Sequence, residues 1–377
     1  MRLFLLLFAL FEASFARELL QIQALWRHGD RAPAKTFETD PHQADTWPVP
    51  WGELTNKGMW QHYVQGLKMK AEYIDRLQLV GPKYSSKEIY VRSTDSSRAL
   101  MSAYANMAGF YSESNGTHPA EFEWPSNWTP VPVHTVRRDN DYALWQFSEC
   151  ARRIQLRKWR KTLPGFVDFM RNQATFLEEV SEKTKWNVSD LHTFVNLANI
   201  LAIERKYNLS FPSWISDDVY KKVQLIGDRA WDFMFGGGGF SVPSNDELIA
   251  INGGVLLSEM IRNINDSVNG TSALRYHAYS GHDTSVSALL RTFGAKDAIV
   301  GGGQPDYASI IVVELWELRE KDYGIRVVYS DNAGSPFRVV THFLNRCQGR
   351  EFCSLESFAR QCGKYVVDDI KKICTVS

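Results

Sequence analysis

Basic side chains and one carboxylate stand at three separate points of the chain, each where an apolar run ends. The residues are Arg27, His28, Arg31, Arg92, His282 and Asp283. Arginine guanidinium groups bind phosphate dianions through paired hydrogen bonds. A histidine among them can attack phosphorus, and a carboxyl group can protonate the leaving oxygen. The set therefore predicts phosphoryl transfer through a histidine nucleophile.

Within this set, His28 is the candidate nucleophile and Asp283 the candidate general acid. The neighbouring positive charges should keep His28 neutral and stabilise the oxygens of a transferring phosphoryl group. Taken singly, His282 could be a structural histidine and Asp283 a helix cap. The joint pattern favours a site. The five fixed positions of Arg-His-Gly-x-Arg-x-Pro would arise by chance in about one in ten thousand chains of this size, at about one in twenty per position.

Alternating strands and helices are predicted to position these side chains. Apolar runs predict strands at 19–26, 89–91, 276–280, 308–318 and 325–329. Helical periodicity follows the first three strands, within 60–77, 96–107 and 285–292. This order predicts an α/β fold with a mixed central sheet and helices on both faces. Ligands of such sheets bind beyond the carboxyl ends of the strands, where the three groups should converge.

A central region departs from this pattern. Helical periodicity dominates the segments 151–172, 190–206 and 217–235, which are rich in tryptophan and phenylalanine. We predict that residues 125–245 form a smaller, mainly helical domain inserted into an α/β domain made of 17–124 and 246–377. The four glycines at 236–239 read as a hinge or surface loop, since no GK[ST] follows them.

The composition excludes several classes of protein. The chain has 377 residues, 43 Lys+Arg and 43 Asp+Glu, so its formal net charge is zero. That balance argues against a nucleic-acid partner. Residues 1–16 have a basic start, a short apolar run and small residues at Ser14 and Ala16, which is typical of a secretory signal peptide. No later run has the roughly 20 apolar residues of a membrane span, so the mature chain is predicted to be soluble and secreted or lumenal.

Glycosylation and disulfide bonding are expected on that route. Sequons of the form Asn-x-Ser/Thr begin at Asn115, Asn127, Asn187, Asn208, Asn265 and Asn269. The five cysteines are Cys150, Cys347, Cys353, Cys362 and Cys374, and four of them lie in the C-terminal tail. Several pairings are open on sequence grounds, with one thiol left over. No CxxC pair is present, and no metal site is predicted.

Several segments together resemble the histidine acid phosphatase family. They are residues 27–33, 54–58, 92–98 and 281–283, in the order of the family's motifs. Two further segments, 211–214 and 253–256, are similar to the animal prostatic and lysosomal branch. The resemblance covers essentially the whole mature chain, and it implies an α/β domain with an inserted helical domain.

The resemblance also implies a role for each matching residue. His28 would form a phosphohistidine intermediate, and Asp283 would protonate the leaving alcohol and afterwards help to activate water. The phosphate clamp would consist of Arg27, Arg31 and Arg92, with His282 as a further phosphate ligand. Trp214 would contact substrate at the mouth of the site. No cofactor or metal is implied.

The same resemblance bears on covalent structure and partners. It implies disulfides Cys150–Cys374 and Cys347–Cys353, and it leaves Cys362 without a partner. The implied substrates are small-molecule or phosphopeptide phosphate monoesters. Family members are often dimers, so the resemblance leaves open whether this chain forms a homodimer.

Three functions remain open on the sequence. The leading prediction is a metal-independent acid phosphatase with an acidic pH optimum. A phytase or inositol-polyphosphate phosphatase is an alternative, because the same signature serves both. A non-catalytic secreted binding protein of the same fold is a second alternative, and the presence of His28 and Asp283 argues against it.

Overall fold

An eight-stranded mixed sheet forms the centre of the protein. The computed structural model describes residues 17–113, 118–119, 121, 123–125, 128–347 and 349–375. The strands are β1 Glu18–Arg27, β2 Ile89–Thr94, β3 His134–Val136, β4 Tyr276–Gly281, β5 Ile310–Arg319, β6 Asp322–Ser330, β7 Arg338–Val339 and β8 Cys353–Ser354. The predicted signal peptide and the sequons at Asn115 and Asn127 lie outside the described residues.

The strand order brings distant motifs side by side. It runs β3-β2-β4-β1-β5-β6-β7, and β8 pairs with β6. Strands β1, β2, β3 and β4 are parallel, whereas β5 runs antiparallel to β1. Because β4 lies between β2 and β1, the carboxyl ends of these three strands meet at one edge. The prediction of a mixed α/β sheet is confirmed.

Helices cover both faces of the sheet. They are α1 Asn56–Lys70, α2 Ser97–Phe110, α3 Ala151–Arg160, α4 Pro164–Asn172, α5 Ala174–Thr184, α6 Leu191–Lys206, α7 Asp217–Met234, α8 Asp246–Val268, α9 Asp283–Thr292, α10 Lys296–Ile299, α11 Leu355–Cys362 and α12 Ile370–Cys374. Helices α1 and α2 pack on one face, where Trp26 is fully buried. Helices α8 and α9 pack on the other, where Leu25 is fully buried. Successive side chains of β1 thus pack into the cores on opposite faces of the sheet, as expected for a strand covered on both sides.

The helices between Pro164 and Met234 form two cores of their own. One is centred on Phe194, Leu197 and Leu201 of α6, and the other on Phe166 and Phe233. The predicted start of the inserted region at residue 125 falls before β3, yet β3 pairs with β2 in the sheet. The sheet therefore extends to Val136, beyond that predicted start. The predicted segment 151–172 is two helices, because Pro164 begins α4.

Two disulfides anchor the C-terminal part of the chain. Cys150 bonds to Cys374 and Cys347 bonds to Cys353, as the family resemblance implied. Cys362 is a buried free thiol, and burial raises its pKa to about 12. The four described sequon asparagines, at 187, 208, 265 and 269, are exposed. Among the described residues, none of the helices is long and apolar enough to cross a bilayer.

A buried pair of carboxyl groups joins the loop after β1 to the helical region. Asp40 of the loop hydrogen-bonds the side chain of Glu204 on α6, and both residues are buried. The loop side of the pair is fixed, since the amide of His42 donates to Asp40 Oδ1 at 2.9 Å. Burial, followed by the hydrogen bond and charge of Asp40, raises the pKa of Glu204 from 4.5 to about 9. A proton is therefore held between the two carboxyl groups at neutral pH.

This pair predicts a protein that is more stable in acid. Because the folded-state pKa of Glu204 is raised, its contribution is complete below pH 4.5 and is lost as pH rises toward 9. The free energy of unfolding should fall by up to about 1.4 kcal/mol per pH unit within that window. Glu204→Gln should flatten this dependence, measured by urea unfolding at several pH values. The exposed Glu182→Gln is the control, and an unchanged slope in Glu204→Gln would refute the assignment.

Candidate active site

His28 lies immediately after β1 and is almost fully buried at the carboxyl edge of the sheet. Its amide donates to the carbonyl of Gly281 at the end of β4, at 3.0 Å. Its Nδ1 lies 2.9 Å from the carbonyl oxygen of Gly29. Since a carbonyl only accepts, Nδ1 carries the ring proton and Nε2 keeps a free lone pair. Nε2 is therefore the ring nitrogen that is available to act as a nucleophile.

The turn after His28 depends on close contact between backbones. A Cβ on Gly29 would lie 2.4 Å from the carbonyl oxygen of Gly58 in α1, so only glycine fits there. The following residue, Asp30, is also held in place, because its carboxylate accepts hydrogen bonds from the hydroxyls of Thr55 and Tyr207. Thr55 in turn caps α1. The motif glycine and aspartate thus build the turn that presents His28.

The electrostatic surroundings keep His28 neutral. Its pKa lies well below the usual 6.5, first because the ring is buried and then because Arg98, Arg27, His282 and Arg31 repel a positive charge. The free lone pair therefore persists into acidic solution. This agrees with the expectation that nearby arginines hold the ring unprotonated.

Two arginines face the same cavity as His28. Arg31 and Arg98 line a cavity of about 430 Å³ together with His28, His282 and Asp283. Neither has a carboxylate within ion-pair distance among the described residues, and the Nε of each is buried without a partner. Burial lowers the pKa of Arg98 to about 10, so the group still carries its charge in acid. Two guanidinium groups without a carboxylate partner beside His28 are suited to bind an anion.

Arg92 does not belong to this cavity. Its guanidinium binds Asp141 at 2.6 Å and Glu259 at 3.1 Å, so its charge is neutralised, and it does not line the cavity. The sequence prediction that Arg92 belongs to the phosphate clamp is therefore corrected. Arg98, six positions later at the start of α2, is the arginine of that segment that reaches the cavity.

Asp283 is held at the cavity by Arg27. Its Oδ2 lies 3.0 Å from Nη2 of Arg27, and its Oδ1 accepts the amide of Thr284 at 2.8 Å. Arg27 is itself fixed, because its Nη1 donates to the carbonyl of Pro305 at 2.5 Å and its guanidinium lies 4.2 Å from the ring centre of Tyr307. The acid candidate is thus oriented from one side by a rigid cation.

His282 is the N-cap residue of α9 and lies beside His28. Its ring centre is 5.4 Å from that of His28, and its Nε2 lies 2.9 Å from the hydroxyl of Thr94. Burial and the charges of Arg98, Arg27 and Arg31 hold its pKa well below 6.5. A neutral ring bound to a hydroxyl on one nitrogen can donate from the other.

Trp214 lies apart from the cavity. It packs half-buried in the apolar core of the helical region, and its predicted position at the mouth of the site is corrected. The aromatic residues that do line the cavity are Trp145 and Phe147, which sequence analysis missed. They precede α3 in a segment without a motif or a periodic pattern, so the sequence carries no signal for them.

The arrangement therefore combines a neutral imidazole, two free guanidinium groups and an oriented carboxyl group in one cavity. Such groups can transfer a phosphoryl group first to an imidazole nitrogen and then to water. Across the described ranges, no group of three or more His, Cys, Asp or Glu side chains is arranged to hold a metal ion.

Solved structures share this fold. The Hafnia alvei phytase in complex with tartrate is similar with a TM-score of 0.65 and 14% sequence identity, covering 96% of this chain and 99% of that chain. At this identity the likeness shows the fold alone.

Known proteins are also similar in sequence. Human lysosomal acid phosphatase is 31% identical over 366 residues, covering 96% of this chain and 81% of its own. Human prostatic acid phosphatase is 28% identical over 377 residues, covering 99% and 92%. The sequence model of the histidine phosphatase superfamily (branch 2) matches residues 18–330. Together with the cavity that His28, Arg31 and Asp283 line, this match shows that the chain belongs to the histidine phosphatase superfamily, branch 2.

Proposed function

We propose that the protein is an acid phosphatase that hydrolyses phosphate monoesters through a phosphohistidine on His28. One observation carries this proposal. The buried His28 keeps its Nε2 lone pair, and its ring shares a cavity with two guanidinium groups that have no carboxylate partner in the described structure. The named acid phosphatases among the relatives support the same activity.

The first step would form a bond between Nε2 of His28 and phosphorus. The bond from phosphorus to the ester oxygen breaks in line with it, and Asp283 gives its proton to that oxygen as the alcohol leaves. Arg31 and Arg98 would bind the phosphoryl oxygens and stabilise the charge that develops on them. Arg27 holds the Asp283 carboxyl group toward the leaving oxygen.

The second step would reverse these roles. Asp283, now ionised, accepts a proton from water as the water oxygen attacks phosphorus, and the bond from phosphorus to Nε2 breaks. Inorganic phosphate and the free His28 ring result. His282, whose ring lies beside that of His28, would be a further ligand of the phosphoryl group.

The phytase alternative has weaker support. Phytases share the fold at 14% identity, whereas the acid phosphatases share about twice that identity over nearly the whole chain. Within the described part of the cavity lining, Lys35 is the only lysine or arginine besides Arg31 and Arg98. A highly phosphorylated inositol ring would find few further cations to bind.

We further propose that the protein acts in a secreted or lumenal compartment. The two disulfides support an oxidising environment. The exposed sequon asparagines, such as Asn187 and Asn265, would accept glycans without disturbing a core. The buried proton between Asp40 and Glu204 favours the fold in acid, as an acidic lumen would require.

Trapping the intermediate tests the proposed function. Wild-type protein mixed with phosphate-labelled 4-nitrophenyl phosphate and quenched in alkali should retain label on the peptide that contains His28. A phosphoramidate is labile in acid and survives alkali, so an acid quench should release the label. Asp283→Asn should accumulate more labelled protein if its base role limits the second step. Turnover of substrate without any label at residue 28 would refute the phosphohistidine route.

A further inference from the structure

The contacts of Arg27 lead from the general acid candidate to a loop on the far side of the cavity. Nη2 of Arg27 pairs with Asp283, and Nη1 donates to the carbonyl of Pro305. Its Nε is buried without a partner in the part of the chain that the structure describes. Its Cζ lies 4.2 Å from the ring centre of Tyr307. The orientation of Arg27, and with it that of Asp283, therefore depends on residues 305 and 307.

A second cavity gives the guanidinium group of Arg27 room to move. This cavity has a volume of about 400 Å³ and lies between α6, α7 and the loop that precedes β5, and Arg27, Pro305 and Tyr307 are among its lining residues. An arginine side chain has several rotatable bonds and loses entropy when it is held in one geometry. Contacts with the loop are therefore needed to keep Arg27 in place against Asp283.

The loop that supplies these contacts is anchored to the helical region. We define residues 301–307 as the positioning loop. Asp232 of α7 accepts the amide of Gly303 at 3.2 Å and the ammonium group of Lys296 at 2.6 Å. Lys296 also donates to the carbonyl of Gly301 at 2.7 Å, and both charged residues are buried. The first half of the positioning loop is thus fixed to α7 and α10.

Lys206, the last residue of α6, anchors the second half of the positioning loop. Its Nζ lies 2.5 Å from Oδ1 of Asp306, which also accepts the amide of Tyr307 at 2.8 Å. The same Nζ lies 4.8 Å from the ring centre of Tyr307. The hydroxyl of Tyr307 is buried and has no hydrogen-bond partner among the described residues. The ring of Tyr307, rather than its hydroxyl, therefore makes the contacts with both cations.

We propose that Tyr307 is a positioning residue for the general acid, because its ring keeps Arg27 against Asp283 and so aims the carboxyl group at the leaving oxygen. This inference rests on the proposed function, in which Asp283 gives its proton to the ester oxygen. That transfer accompanies breakage of the bond from phosphorus to this oxygen and formation of the bond from phosphorus to the imidazole nitrogen. Without the ring, Arg31 and Arg98 would still bind phosphate, but the proton would be poorly delivered.

Two substrates separate proton delivery from the other contributions to the rate. 4-Nitrophenolate is a stable anion that leaves without a proton, whereas the alkoxide of glycerol needs one. Relative to the wild type, Tyr307→Leu should lower kcat/KM by about twentyfold for glycerol 2-phosphate and by less than about threefold for 4-nitrophenyl phosphate. Tyr307→Phe retains the ring, so it should restore the wild-type ratio of the two kcat/KM values.

Inhibition by inorganic phosphate shows whether the defect is confined to the acid. Arg31 and Arg98 are unchanged in Tyr307→Leu, so the inhibition constant should stay within about twofold of the wild-type value. A rise of about tenfold or more would mean that the ring holds Arg27 for phosphate binding. That result would overturn the assignment of Tyr307 to the general acid.

Lys206→Met tests the same role without disturbing a core, because the side chain of Lys206 is 45% exposed. The substitution removes the ion pair with Asp306, so we expect a selective loss of about fivefold on glycerol 2-phosphate. Lys206→Arg retains the cation and should restore the wild-type ratio. Lys221→Met, at an exposed position of α7, is the control. If Tyr307→Leu does not fold, the ratio of the two substrates in Lys206→Met decides the question.

The outcomes distinguish this inference from the proposed function. Equal losses on both substrates in Tyr307→Leu would mean that the ring supports His28, whose ring centre lies 5.9 Å away, and would overturn the positioning of the acid. A wild-type ratio in both Tyr307→Leu and Lys206→Met would overturn it as well. Either result leaves the phosphohistidine on His28 intact. A wild-type protein that hydrolyses neither ester would refute the proposed function, and this inference with it.

Discussion

Replacing His28 with alanine is expected to lower kcat/KM for 4-nitrophenyl phosphate by at least about a thousandfold, because the variant has no atom that can bond to phosphorus. Arg31 and Arg98 remain, so the variant should still bind inorganic phosphate. The loss should therefore appear mainly in kcat. Activity is measured with EDTA throughout, at pH about 5 and about 8.

The pH dependence of the wild type follows from the same residues. The pKa of His28 is held well below 6.5 by burial and by its arginine neighbours, so its lone pair is available at pH 5. The leaving alcohol takes its proton from Asp283 as the general acid, and acid-assisted departure of an alcohol is favoured in acidic solution. Wild-type activity should accordingly be higher at pH 5 than at pH 8.

A matched histidine controls for loss of an imidazole. His342 is exposed, and it does not line the cavity. His342→Ala should keep the activity of the wild type within about twofold. Residual activity in His28→Ala within tenfold of the wild type, with an unchanged melting temperature, would rule out His28 as the nucleophile.

The part of the site that follows strand ends could be predicted from the sequence. Arg31 and His28 are fixed to β1 by a short glycine-containing turn, and Asp283 is the first residue of α9. Parallel pairing of β1 with β4 brings the two motifs together, with Arg27 opposite Gly281. Short spacing within a motif and adjacency of parallel strands therefore carry enough information to place these groups.

The predicted role of Arg92 in phosphate binding is wrong because the carboxylates that pair with Arg92 are distant in sequence. Arg92 stands on β2, where neighbouring side chains alternate between faces of the sheet. Its side chain meets Asp141 and Glu259, which come from a loop and from α8. No local pattern reveals those carboxylates. Arg98 is the last residue of the motif segment 92–98, and it lies in the first turn of α2, from which its side chain reaches the cavity.

Helix α8 is not among the helices that the sequence predicts. An amphipathic stripe is the main signal of a helix, and α8 is buried around much of its circumference. Gly253 and Gly254 lie in its middle, where glycine normally weakens a helix. In the structure they allow close packing, since a Cβ on Gly253 would lie 2.6 Å from the carbonyl oxygen of Ala288 in α9.

Substitution of Arg98 should weaken phosphate binding, whereas substitution of Arg92 should lower the stability of the fold. Arg98→Ala removes a cation that faces the cavity without a carboxylate partner, so we expect the inhibition constant of inorganic phosphate to rise at least tenfold and kcat/KM to fall about a hundredfold or more. Arg92→Ala should leave both constants within about threefold of the wild type. Steady-state inhibition at pH about 5 measures both.

Arg92→Ala should instead destabilise the fold, because it leaves the fully buried carboxylate of Asp141 without its cation. Loss of one partner of a buried ion pair typically costs about 3–5 kcal/mol. The double variant Arg92→Met/Asp141→Asn should recover much of that loss in thermal unfolding, since it removes the stranded charge, while Arg98→Ala should melt near the wild type. If Arg92→Ala weakened phosphate binding as much as Arg98→Ala does, even in the background of Asp141→Asn, then Arg92 would be a phosphate ligand after all and the geometry of this cavity would have been misread.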